Sequence, residues 1–81
     1  MLIEIKFYSS FRELMGTSWT SMEMAEGTTL GDLVDIIRDR HPRLRLQTDE
    51  IVVSLNRNSL PPETVLKDGD VVSFLPPLTG G

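Results

Sequence analysis

One long helical pattern, set among short alternating segments, limits the fold of this chain more than any other feature. Thr29 and Asp32 have the spacing of a capping box, in which two side chains satisfy backbone N–H groups at the start of a helix. The apolar residues that follow at helical spacing are Leu30, Leu33, Val34 and Ile37. His41-Pro42 ends the pattern, because proline disfavours helix at the preceding residue. Such a helix needs an apolar surface to cover, and the flanking segments are candidates for a sheet that provides it.

Four flanking segments have the pattern of β-strands. The segments are residues 2–8, 19–25, 51–56 and 71–75. In the first of them Ile3, Ile5 and Phe7 share one side, as in a half-buried strand, and Met22 and Met24 are the inward pair of the second. Residues 9–16 switch to helical spacing and form a short helix that ends at a glycine. This order predicts an α+β domain, with the long helix across one face of a mixed sheet.

The predicted core lies between that sheet and that helix. Its members are Ile3, Ile5, Phe7, Leu30, Leu33, Val34, Ile37, Val53, Leu55, Leu66, Val72 and Phe74. We expect residues 1–75 to form one globular domain and residues 76–81 to form an extended, flexible tail.

Composition and motifs exclude several classes of function. The chain has no cysteine, so a disulfide framework and a cysteine nucleophile are ruled out. Its net charge is −4 without a basic cluster, which argues against nucleic acid as a partner, and no apolar stretch is long enough for a membrane span. His41 has no evident catalytic partner, and Asp68 and Asp70 fit a turn better than a metal site. We therefore expect a cytoplasmic protein that is not catalytic alone.

The end of the chain is the feature that packing does not explain. Its six residues are Pro76, Pro77, Leu78, Thr79, Gly80 and Gly81. The two prolines stop sheet pairing and stiffen the exit from the domain, while the two glycines leave the terminal carboxylate free of neighbouring side chains. Six extended residues span at most about 20 Å. The tail is therefore either an idle terminus or a segment that inserts into a narrow site.

Two segments carry a resemblance to a known family. "KFYSSFRELMG" near the start and "LKDGDVVSFLPPLTGG" at the end resemble the small, sulfur-carrying subunits of molybdopterin synthase. The segments stand in the right order and at the right separation, so the resemblance covers essentially the whole chain. It implies the ubiquitin-like β-grasp fold of that family, with one long helix across the sheet and a short helix after the first strand.

The resemblance also implies chemistry at the C-terminus. In that family a ubiquitin-activating-like adenylyltransferase uses ATP to adenylate the terminal glycine carboxylate, here Gly81, and sulfur then replaces AMP to leave a thiocarboxylate. The tail enters the large subunit of molybdopterin synthase, in a heterotetramer, and gives its sulfur to cyclic pyranopterin monophosphate. The implied carrier binds no cofactor and no metal, and Gly80 stays small so that both partners can close around it.

A docking surface for the partner should surround the base of the tail. If Val72 and Phe74 point inward, Leu75 points outward, and exposed apolar residues near one sheet end usually mark a partner site. The tail residues Pro76, Pro77, Leu78 and Thr79 extend this surface, and Tyr8 is a weaker member. Phe11 fits either the surface or the core. Arg12 is either an anchor for a carboxylate at the rim or a solvated helix charge.

Three other functions stay open at this point. A related sulfur carrier for thiamin or for thiolated tRNA would also end in Gly-Gly on a similar fold. A ubiquitin-like modifier would be conjugated to lysines through Gly81. The third is a structural interaction domain with an idle tail. The Phe-Arg-Glu-Leu and Pro-Pro-Leu-Thr signatures favour the molybdopterin branch.

Overall fold

In the computed structural model, which describes residues 1–42 and 52–75, the strands form one mixed sheet. Its elements in chain order are β1 (Leu2–Phe7), α1 (Ser10–Met15), β2 (Trp19–Glu23), α2 (Leu30–Arg40), β3 (Val52–Leu55) and β4 (Val71–Leu75). The spatial order of the strands is β2-β1-β4-β3. The central strands β1 and β4 are parallel, and each of them pairs antiparallel with an outer strand. The predicted α+β architecture is confirmed.

Helix α2 begins with the capping box that its sequence predicts. The Thr29 hydroxyl accepts from the Asp32 N–H at 3.1 Å, and the Asp32 carboxylate accepts from the Thr29 N–H at 3.2 Å. The helix ends at Arg40, where His41 is the C-terminal cap and Pro42 follows. Both predicted ends of the helix are confirmed.

The core lies between α2 and the inner face of the sheet, as predicted. Ten of the expected members are buried, which are Ile3, Ile5, Phe7, Leu30, Leu33, Ile37, Leu55, Leu66, Val72 and Phe74. Val34 and Val53 are half-buried and pack against this cluster, while Phe11 and Met24 complete it. The rings of Phe7 and Phe74, on the two parallel strands, lie 5.7 Å apart between centroids.

The opposite side of the sheet, here called the open face, carries the alternate residues of every strand. Lys6 pairs with Trp19 on β2 and with Ser73 on β4, so these three side chains share that face. Trp19 is 56% exposed, and Ser73 is half-buried. Leu75, the last residue of β4, also lies on this face by its register.

Three predicted strands end later than the observed ones. Strand β1 ends at Phe7 rather than Tyr8, because the chain turns sharply at Ser9, β2 ends at Glu23, and β3 ends at Leu55 rather than Asn56. The predicted start of the third strand, Ile51, lies outside the described residues. These differences leave the order and pairing of the elements unchanged.

Candidate functional site

The predicted tail lies outside the described residues, and the structure gives its starting point. Pro76, Pro77, Leu78, Thr79, Gly80 and Gly81 are the residues concerned, so their roles stay predictions. Leu75 ends β4 and is half-buried. Its position in the register, two residues after Ser73, places it on the open face. The tail therefore follows the last residue of a central strand, and that residue lies on the open face.

Tyr8 lies beside this exit. Its backbone N–H donates to the Phe74 carbonyl at 3.1 Å, which continues the parallel pairing of β1 and β4 by one residue. The Tyr8 side chain is 43% exposed, unlike those of its neighbours Phe7 and Phe74 in the core. The structure thus brings Tyr8 and Leu75 together at the C-terminal ends of the two central strands.

A tight turn after Tyr8 separates it from Phe11. The Phe11 N–H donates to the Tyr8 carbonyl at 3.1 Å, and Ser9 has φ 52° and ψ −128°, the conformation of the first central residue of a type II′ turn. The turn reverses the chain into α1, so that Phe11 enters the core with 2% of its surface exposed. Of the two positions that fit Phe11, the core is the observed one, and its side chain does not add to the exposed surface.

Arg12 lies on the exposed side of α1 and faces the same region. It lines a shallow depression together with Lys6, Tyr8 and Trp19, a depression to which Phe7 and Ser18 also contribute. None of these lining residues is acidic. Tyr8 and Arg12, which were both predicted as site residues, therefore lie together at the surface, next to the second cation Lys6.

Trp19 is the surface residue that sequence reasoning missed. Met22 and Met24 were expected to point inward, which placed Trp19, Ser21 and Glu23 on the other side of β2. A tryptophan on the side of a strand that also carries serine and glutamate is an exposed aromatic, and this pattern was the available signal. We name Lys6, Tyr8, Arg12, Trp19 and Leu75 together the tail-exit surface.

The arrangement has features of a binding surface. Among residues 1–42 and 52–75, no group of three or more histidine, aspartate or glutamate side chains could hold a metal ion. Neither α1 nor α2 is long and apolar enough to cross a bilayer. The tail-exit surface contains a tyrosine, a tryptophan and an arginine, residue types that are enriched at protein–protein interfaces.

Comparison with known proteins finds relatives whose similarity extends over nearly the whole chain. The model of the ThiS family matches residues 5–81. A molybdopterin synthase sulfur carrier subunit from Mycobacterium tuberculosis is 34% identical over 80 residues, which cover 98% of this chain and 96% of that protein. One from Chlamydomonas reinhardtii is also 34% identical, with both chains covered completely. A solved complex of subunits 1 and 2 of molybdopterin-converting factor from Helicobacter pylori contains a chain 27% identical to this one, with a TM-score of 0.73 and 100% of both chains covered.

Proposed function

The chain belongs to the ThiS family, and on that basis we propose that it is the sulfur carrier of a molybdopterin synthase. Its mixed sheet with one long helix across a face is the ubiquitin-like β-grasp fold. The observation that carries the proposal is full-length similarity to sulfur carrier subunits of that enzyme, combined with a chain that ends in Gly80-Gly81.

Activation of Gly81 is the first step of the proposed reaction. A carboxylate is a poor electrophile, so an adenylyltransferase joins it to the AMP part of ATP and releases pyrophosphate. A sulfur donor then attacks the carbonyl carbon and AMP leaves, which converts one C–O bond of the carboxylate into a C–S bond. The product is a thiocarboxylate, a potent sulfur nucleophile. ATP is consumed by the activating enzyme, and the carrier itself holds no cofactor.

The partner in sulfur transfer is the large subunit of molybdopterin synthase. The tail, residues 76–81, enters its active site and delivers sulfur to cyclic pyranopterin monophosphate. The similarity to a subunit in the Helicobacter pylori complex supports this pairing. The heterotetramer and the cytoplasmic location are further parts of the proposal.

The tail-exit surface is the proposed contact of the globular domain with that subunit. Leu75 and Tyr8 lie where the tail begins, Trp19 adds a second exposed ring, and Arg12 provides a charge at the rim. Docking at this surface fixes the start of the tail, so that a span of at most about 20 Å brings Gly81 to the reacting position.

Reconstitution tests the function. The thiocarboxylated chain, mixed with the large subunit and cyclic pyranopterin monophosphate, should yield molybdopterin, whereas the untreated carboxylate form should not. A chain that binds the large subunit but never supports this conversion would contradict the proposal. Formation of thiamin precursor or thiolated tRNA instead would assign it to a neighbouring sulfur pathway, and isopeptide adducts to lysine would identify a modifier.

A further inference from the structure

The two-residue turn after β3 holds an arginine where the backbone favours glycine. Leu55 and Asn58 exchange backbone hydrogen bonds of 2.8 and 2.9 Å, which closes a hairpin loop of Asn56 and Arg57. Asn56 has φ 49° and Arg57 has φ 71°. These are the angles of a type I′ turn, whose usual sequence is Asn-Gly, because residues with a side chain are strained at positive φ. Asn56 fits this rule and Arg57 does not.

The turn is held firmly against the start of β4. The Asn56 N–H donates to the Val71 carbonyl at 2.8 Å, and the Asn56 side-chain carbonyl accepts from the Val71 N–H at 2.9 Å. The Asn56 side-chain amide also donates to the Asp70 carboxylate at 3.0 Å. Arg57 is therefore fixed at a defined place relative to the sheet, although its own side chain is exposed.

That place is the open face, next to the tail-exit surface. Arg57 lines a depression of about 310 Å³ with Lys6, Tyr8, Asn56, Val71 and Ser73. Lys6 and Tyr8 also line the depression that contains Arg12 and Trp19, so the two depressions lie next to each other. Together they bring three cations to the open face, and none of the residues that line them within 1–42 and 52–75 is acidic.

Two acidic side chains lie near these cations but line neither depression. Asp70 accepts hydrogen bonds from the Asn56 side-chain amide and from the Lys67 N–H at 2.7 Å, which hold its carboxylate at the start of β4. Glu4 lies on the open face two residues before Lys6 and is exposed, but it lines neither depression. The chain as a whole carries a net charge of −4, which makes a cationic region on this face a local exception.

We propose that Arg57, together with Lys6 of the tail-exit surface, forms a binding site for an acidic segment of the large subunit. The inference rests on the proposed function and extends its docking surface from the β1–α1 side of the open face to the β3–β4 turn. Charge complementarity identifies the occupant, because two cations without a lining carboxylate match a partner segment that carries carboxylates. A strained backbone at an exposed arginine is consistent with a side chain retained for binding.

Titration calorimetry of the thiocarboxylated chain with its large subunit tests this site. We expect Arg57→Glu to weaken binding about tenfold and Arg57→Gly, which suits the turn, to weaken it about threefold. Arg40→Glu is the matched control, because Arg40 is an exposed arginine at the end of α2, on the covered side of the sheet. The reversed charge in Arg40→Glu should change the affinity for the large subunit by less than about twofold relative to wild type. Raising the salt concentration should reduce the difference between wild type and Arg57→Glu.

The outcomes separate this site from the proposed function. Equal affinity of wild type and Arg57→Glu overturns the site while the carrier function stands. Equal losses in Arg57→Glu and Arg40→Glu also overturn it, because the effect is then one of net charge. A wild-type chain that does not bind the large subunit overturns the proposed function and this site with it. Thermal unfolding of each variant verifies that the fold is retained.

Discussion

At the scale of single residues, strained backbone positions lie beside the proposed binding surface. Ser9 and Arg57 both have positive φ, one after β1 and the other after β3, and both flank the open face. Asn56-Arg57-Asn58 has the composition of a turn, because asparagine tolerates positive φ. The sequence does not predict the turn at Ser9, since Ser9-Ser10 also fits the start of a helix. Ser9 can adopt either a turn or a helical conformation. The turn is favoured because it allows Phe11 to enter the core, and this packing depends on distant parts of the chain.

Ser9→Gly should raise the stability of the domain. Relief of the strain at φ 52° and ψ −128° is worth about 1–3 kcal/mol, and the added freedom of glycine in the unfolded chain removes about 1 kcal/mol. We expect a net gain of about 1 kcal/mol in the free energy of unfolding, measured with urea. Ser10→Gly is the control, because Ser10 is helical and glycine should lower stability there. A loss in both variants would show that Ser9 is unstrained.

At the scale of elements, sequence patterns predicted the helices and strands well and their ends less well. The capping box at Thr29 and the apolar stripe from Leu30 to Ile37 are local features, and both appear in the structure. Strand ends depend on where pairing stops, which the sequence of one strand does not determine. The open face was also only partly predictable. Alternation within a strand indicates which residues point outward, but the pairing register between strands is needed to show that Lys6, Trp19 and Ser73 are neighbours.

Leu33→Ala should be strongly destabilising. Leu33 is fully buried at the centre of the contact between α2 and the sheet, and its truncation leaves a cavity that costs about 2–5 kcal/mol. Asp35→Ala, at an exposed position of the same helix, is the control and should change stability by less than about 0.5 kcal/mol. A Leu33→Ala variant with unchanged urea unfolding would show that this face of α2 does not pack on the sheet.

Loss of the α2 cap should have a smaller effect. Thr29→Ala removes one half of the capping box and should lower the free energy of unfolding by about 1 kcal/mol. The Thr17 hydroxyl also hydrogen-bonds to backbone, at the Trp19 carbonyl, but it does not cap the N-terminus of a helix. Thr17→Ala is therefore a matched control. Equal effects of the two substitutions would contradict a specific role for the cap.

At the scale of the whole molecule, the domain presents one face to α2 and leaves the other for partners. The tail begins at Leu75 on that open face, beside Tyr8, Arg12 and Trp19. The sequence predicts the tail and Leu75 as site residues because prolines and glycines at a chain end have few packing explanations, and these roles stay predictions. The sequence does not point to Trp19 or Arg57, because their position near Tyr8 and Lys6 depends on the pairing of distant strands.

Leu75→Asp should weaken binding to the large subunit at least tenfold while the domain stays folded. Leu75 is a half-buried apolar residue at the end of β4, and a carboxylate in its place loses hydration when the interface forms, which costs free energy. Val65→Asp is the control, because Val65 is 54% exposed and lies next to Thr29 at the start of α2. Affinity measured by calorimetry should distinguish the two, and equal affinities would remove Leu75 from the interface.

The intact mass of the chain after incubation with the activating enzyme, ATP and a sulfur donor tests directly whether Gly81 carries the sulfur. The wild-type protein should gain the mass difference between one sulfur atom and one oxygen atom. A chain without Gly81 should gain nothing, because its terminal carbonyl is displaced by about 3.5 Å from the position that a rigid site requires. Gly80→Val, whose side chain blocks entry of the tail, should also gain nothing while its globular domain unfolds as in wild type. If the chain lacking Gly81 is still thiocarboxylated and still supports synthesis of molybdopterin, Gly81 is not the sulfur-carrying residue and the account is contradicted.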